Sequence, residues 1–234
     1  MTKQDCEIVD LVIVGAIIND PLMIRQAIDS CPEYNYNGKY ILFDGLSKNR
    51  TFDESLQYEQ YKEDIKTIYS DFEVIEFKEC IYFREMIELF AKNSVSHKLF
   101  VVQDDVVLPH FDLKSVVDLM NGLPDCKILC FPHKIVDKNY HWYEIIESQD
   151  SIKKTHGFTE RCFLCDRKNI LMICETMPKN NKNNKRFIEF IYHTMMRSKK
   201  WQKMSEQQKL EYWSQFGSYL TNDIIHKHLV GKRR

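Results

Sequence analysis

A chain of 234 residues, 44% hydrophobic and 29% charged, carries enough apolar material for an ordinary core, as one large domain or two small ones. A formal net charge of −1 argues against a surface built as a whole to hold nucleic acid. No apolar run approaches a membrane span and the stretch through Asp10 is polar rather than a secretory leader, so a cytoplasmic setting with eight reduced cysteines is expected.

In chain order, the continuous β-branched run "DLVIVGAII" (10–18) predicts a buried strand, and "NDPLMIRQAIDS" (19–30) a helix with Pro21 in its first turn. "KYILFDG" (39–45) is a second strand. "TFDESLQYEQYKEDIKTIYS" (51–70) is a helix opened by a Thr51–Glu54 capping box, with Tyr58, Tyr61, Ile65 and Ile68 on its apolar face. "FEVIEF" (72–77) is a strand. "IYFREMIELFAKN" (81–93) is a helix with Phe83, Ile87, Phe90 and Ala91 on one face, and "KLFVVQ" (98–103) is a fourth strand. The β-α-β-α-β-α-β order predicts an α/β protein with a mostly parallel sheet covered on both faces.

The rest is less regular. "FDLKSVVDLMNGLP" (111–124) suggests a helix and "CKILCFPH" (126–133) a strand. "HWYEIIES" (141–148) and "GFTERCFLCDR" (157–167) suggest strands joined by a turn, "PKNNKNNK" (178–185) a loop, and "RFIEFIYHTMMR" (186–197) and the segment from Ser205 onward helices.

Only seven glycines are present, with no GxGxxG after the first strand and no GxxxxGK[ST], so a dinucleotide fold or a P-loop is disfavoured, and no GxSxG marks a hydrolase. The pairs Cys126/Cys130 and Cys162/Cys165 have spacings compatible with zinc, but both sit in apolar strand-like segments where free cysteine is a common small core residue. Asp44 and the pair Asp104–Asp105 fall at the carboxyl ends of predicted strands, where open α/β sheets bind ligands. Adjacent carboxylates there need either water or a cation.

With these residues in place, the chain resembles a nucleotide-sugar-dependent glycosyltransferase of the GT-A fold. "QDDV" (103–106) stands where that family carries Asp-x-Asp, with Gln103 in place of its first acid. Its size and Asn/Lys richness are similar to the small glycosyltransferases of large DNA viruses, which would place it in a host cytoplasm. The resemblance implies a Rossmann-like donor half over 1–110 and an irregular acceptor half over 111–234 within one domain. It also implies a UDP-sugar donor and Mn²⁺ or Mg²⁺ held by Asp105, with Asp104 orienting the sugar or ribose or supporting the metal through water. Val14, Gly15, Ala16 and Ile17 would meet the nucleoside, Asp44 the base or ribose, and Arg84 the diphosphate. "FGSYLTNDIIHKHLVGK" (216–232) is similar to the segment near the end of inverting members where an acid opens a helix beside the acceptor. Asp223 matches that acid, with Asn222 replacing the one before it. His226, three residues on along that helix, would join the metal or touch phosphate. The implied partners are a nucleotide sugar and a glycan or glycoprotein acceptor, with no nucleic acid and no transmembrane segment.

Alternatives are a retaining transferase on this fold and a non-catalytic glycan- or protein-binding protein; a nucleotidyltransferase lacks its phosphate loop here. Lys179, Lys182, Lys185, Arg186, Arg197, Lys199, Lys200 and Lys203 form either an anion-facing surface or a solvated face. The rings of Trp142, Tyr143, Trp201, Tyr212 and Trp213 serve the core or stack on a sugar.

Overall fold

A computed structural model of the chain describes residues 8–15, 21–45, 51–134, 144–149, 151–159, 161–176 and 198–229. The first half follows the sequence closely. Strand β1 (Val9–Gly15) is followed by α1 (Pro21–Asp29), β2 (Gly38–Phe43), α2 (Phe52–Ile68), β3 (Glu73–Glu76), α3 (Tyr82–Asn93) and β4 (Lys98–Gln103). The four strands lie in the order β3-β2-β1-β4, all parallel. Period two divides β1 between two cores. Leu11 and Ile13 meet Ile24 of α1 and Tyr61 of α2 on one face. Val12 and Val14 meet Phe83 and Ile87 of α3 on the other. The capping box of α2 forms as expected between Thr51 and Glu54. Its buried stripe is Tyr58, Tyr61 and Ile65; Ile68, the last residue of the helix, is 47% exposed.

The second half departs from expectation. It contains β5 (Val106–Val107), α4 (Leu113–Asn121), β6 (Ile128–Cys130), β7 (Ile145–Ser148), β8 (Ile152–Thr155), β9 (Cys162–Asp166), α5 (Arg167–Thr176), α6 (Lys199–Gln202), α7 (Glu206–Phe216), β10 (Ser218–Thr221) and β11 (Lys227–His228). These extend the sheet to nine strands, continuing β4-β9-β6-β10-β8-β7, while β11 and β5 form a separate ribbon. The sheet is mixed rather than mostly parallel. Only β6–β10 adds a parallel pairing; β4–β9, β9–β6, β10–β8 and β8–β7 are antiparallel. The expected turn between the later strands holds β8, and the "GFTERCFLCDR" strand is shortened to β9, since α5 begins at Arg167.

The long helix expected from Ser205 is also corrected. Helix α7 ends at Phe216 because Gly217 adopts a left-handed φ of 56°, and a Cβ there would lie 2.2 Å from the Asp125 carbonyl. The chain then turns into β10, between β6 and β8. Asp223 and His226 therefore lie on a connection between two strands and do not share a helix face. The loop 178–185, the helix 186–197, Trp142 and Tyr143 fall outside the described residues, as do Lys179 to Arg197 of the basic run; Lys199, Lys200 and Lys203 are exposed.

Candidate functional site

β4 runs fully buried through the sheet and stops at Asp104 and Asp105. They are not a solvated turn: they are 5% and 6% exposed. Two backbone bonds fix them. Asp104 N–H donates to the Val14 carbonyl of β1, and Gln103 N–H to the Arg161 carbonyl just before β9. Both neighbours of β4 thus hold the acid pair at the sheet's carboxyl edge.

A second segment crosses this edge from the side. Beyond β10, His226 N–H donates to the Pro132 carbonyl after β6, and Leu229 N–H donates to the Asp105 carbonyl. β11 pairs with β5, setting His228 opposite Val106. Residues 222–229 therefore form a strap from the end of β10, past the end of β6, to the acid pair. The strap delivers His228, whose Nε2 is 2.8 Å from Asp105 Oδ2. Arg161 Nη1 lies 3.6 Å from the same oxygen.

His226 is 1% exposed, and its Nδ1 donates to the Phe131 carbonyl at 2.8 Å. Burial pushes its pKa down to about 4; the Phe131 bond and Asp105 oppose this, and His133 and Arg161 add to it. The ring is therefore neutral near pH 7, with its proton on Nδ1 and a lone pair on Nε2. That Nε2 has no hydrogen-bond partner among the described residues. His133, its ring centroid 6.1 Å from that of His226, is also shifted down, by burial first and then by Arg161, Lys134 and His228.

Other sequence candidates are placed as follows. Val14 and Gly15 end β1 beside the acid pair, and Gly15 makes room for the Phe43 ring, which a Cβ would meet at 3.0 Å. Ala16 and Ile17 lie outside the described residues. The Asp44 carboxylate accepts from the N–H groups of Gly45, Ile81 and Tyr82 at 2.9, 2.8 and 3.0 Å, holding the start of α3. Beside it is a cleft of about 390 Å³ lined by Asp44, Gly45, Tyr58, Lys62, Glu76 and Phe77. Arg84 is buried and donates to the Cys174 carbonyl in the last turn of α5, a helix-end bond. Asp223 is exposed at the far end of the strap from Asp105.

Trp201 and Trp213 are core residues, 3% and 4% exposed. Cys126, Cys130, Cys162 and Cys165 are buried thiols, the last three on strands β6 and β9. Among the described residues no three His, Cys, Asp or Glu side chains converge to cage a metal ion. A divalent cation at this edge would take Asp105 and an imidazole of the strap and complete its shell with phosphate and water, a habit of Mg²⁺ in particular. The lone pair on His226 Nε2 fits such a role.

The sequence reading passed over Arg161 and His133. His133 closes a predicted strand and carried the same signal as Asp44. Arg161 reaches the site only through the antiparallel pairing of β9 with β4, which no local pattern encodes.

No protein-family model matches the chain, and no curated protein matches it in sequence. Solved structures similar to it include A197 from STIV, at 9% identity over 95% of this chain and 86% of that one, with a TM-score of 0.44. Another is the mannosyltransferase PcManGT from Pyrobaculum calidifontis in complex with GDP-Man and Mn²⁺, 11% identical over 70% of this chain, with a TM-score of 0.47. The chain spans 46% of that mannosyltransferase's length. Both likenesses are distant and concern the backbone alone. No helix among the described residues is long and apolar enough to cross a membrane.

Proposed function

We propose that the protein is a glycosyltransferase that moves a sugar from a nucleotide-diphosphate donor to a glycan or glycoprotein acceptor. The observation that carries this reading is the buried pair Asp104–Asp105 at the carboxyl end of β4, under a strap that brings His226 and His228 to the same edge. A buried acid pair at the mouth of an α/β sheet, with His228 and Arg161 already gathered on Asp105, is suited to holding a cationic ligand.

In this reading Asp105 and an imidazole of the strap, His226 first, hold Mn²⁺ or Mg²⁺, which would neutralise charge on the leaving diphosphate. Asp104 orients the sugar or ribose. The nucleoside is met by Val14, Gly15, Ala16 and Ile17, and the cleft beside Asp44 is of a size that suits such a group. Asp44 serves by fixing the start of α3, and Arg84 ties α3 to the Cys174 carbonyl of α5 through one nitrogen. Asp223 is the base that activates the acceptor hydroxyl, giving inversion. Residues 1–110 form the donor half and 111–234 the acceptor half.

The test is calorimetric titration of UDP and GDP, with and without Mn²⁺, into the wild type and Asp105→Ala. Cation-dependent binding lost in the variant supports the reading and names the nucleotide. Binding of neither nucleotide by folded protein sinks it and favours a non-catalytic glycan- or protein-binding role.

A further inference from the structure

Arg161 is tied to the acid pair by its own backbone: its carbonyl accepts from Gln103 N–H at 2.8 Å, immediately before Asp104. Its guanidinium turns the same way. Nη1 is 3.6 Å from Asp105 Oδ2, an ion-pair distance too long for a hydrogen bond. This nitrogen is buried and has no hydrogen-bond partner among the described residues. The Asp105 oxygen it faces is engaged by His228 at 2.8 Å. A buried donor without a hydrogen-bond acceptor is costly, so the arrangement is incomplete as it stands.

The surroundings say what would complete it. Arg161 is close enough to His133 and His226 to act on both rings, and Lys134 is part of the same neighbourhood. These three are cationic or imidazole, so among the described residues the only carboxylate the structure shows acting on this group of side chains is Asp105. His226 Nε2 is a second buried polar atom there without a partner among the described residues. With its side chain 25% exposed, Arg161 remains open to a ligand from solvent. A planar fork of donors at an open site matches the oxygens of a phosphate better than any other common group.

We propose that Arg161 binds the donor's diphosphate, so that the guanidinium now facing Asp105 takes phosphate oxygens when the donor arrives. The identity of the anion rests on the glycosyltransferase reading; the existence of an anion site does not.

The test is calorimetric titration of inorganic pyrophosphate, UDP and uridine, with and without Mn²⁺, into the wild type, Arg161→Met and Arg161→Lys, each checked by thermal unfolding. Arg161→Met should weaken pyrophosphate and UDP by about 10- to 100-fold, the worth of a charge-assisted hydrogen bond, and leave uridine unchanged. Arg161→Lys should fall between and decides the matter if the methionine variant does not fold. Equal pyrophosphate binding by variant and wild type, or none by the wild type, overturns the proposal. Arg161-dependent pyrophosphate binding without any nucleotide binding keeps the anion site and removes the glycosyltransferase reading. Nucleotide binding that needs Asp105 but ignores Arg161 removes this inference alone.

Discussion

His228 places its Nε2 2.8 Å from Asp105 Oδ2, joining positions 123 residues apart in the chain. The Asp105 side chain is 8% exposed and that of His228 29%, so the bond is made largely away from water. It also locks the strap, since Leu229 N–H bonds the Asp105 carbonyl at 2.7 Å. His228→Ala should therefore lower stability by about 1–3 kcal/mol, the usual cost of stranding one partner of a buried polar pair. A double-mutant cycle with Asp105→Asn checks this, with a coupling of about 1 kcal/mol expected for groups in contact. Strictly additive effects would show that the strap holds its place without this bond.

Asp44 separates two roles that the sequence could not. Its carboxylate accepts from Ile81 and Tyr82 N–H at the start of α3, where Tyr82 has a left-handed φ of 65°. That conformation costs about 1–2 kcal/mol in a residue with a Cβ and needs support. Asp44→Ala should destabilise the protein by about 1–2 kcal/mol, as loss of a helix cap does, and Asp44→Asn by less. Urea unfolding measures this. A direct nucleoside ligand would behave otherwise: Asp44→Asn would then weaken nucleotide binding at unchanged stability.

The parallel half was legible because its signals are local. "VDLVIVG" is apolar on both faces, and Thr51 and Glu54 mark a helix start within four residues. The acid pair was visible because charge at the end of such a run has few explanations. The mixed half was not legible. β8, "IKKT", is short, carries two lysines and shows no alternation; only its pairing with β7 and β10 makes it a strand. The path of "FGSYLTND" depended on Gly217, whose left-handed conformation and contact with Asp125 stop the helix just before β-forming residues. A glycine followed by such residues was the available signal. Arg161 had none, because its role depends on which strands become neighbours.

His156 gives a pH dependence away from the strap. It is 5% exposed, packed edge-on against Trp201 with ring centroids 4.8 Å apart. Burial lowers its pKa to about 4, with Glu144 and Glu206 opposing and Lys209 and Lys154 assisting. Unfolded, it would titrate near 6.5. The unfolded chain therefore binds more protons between these values, and the stability held above about pH 6.5 is lost as pH falls toward 4. For one such group the loss from pH 7 to 5 is about 2 kcal/mol. His156→Phe, which keeps a ring against Trp201, should flatten this part of the thermal-unfolding profile. Identical profiles would place the acid sensitivity elsewhere.

Under the proposed function, Asp223 is the base whose role sets the stereochemistry. It follows β10, whose next residue, Asn222, is pinned to the Ser151 carbonyl at 2.8 Å and the Gln149 carbonyl at 3.1 Å. Across the order β4-β9-β6-β10, three strand spacings put β10 about 14 Å from β4. Asp223 thus stands at the β10 end of the strap, several strand spacings from the acid pair, and a base there would have to reach the acceptor from that side. Because the side chain is exposed, Asp223→Asn should leave thermal stability and nucleotide affinity unchanged. It should lower kcat by about 10²- to 10⁴-fold, the usual contribution of a general base. NMR of the product made by the wild type would show the anomeric centre inverted. Wild-type turnover by Asp223→Asn together with retained configuration would remove both the base and the inverting mechanism, and would favour a retaining transferase on the same sheet.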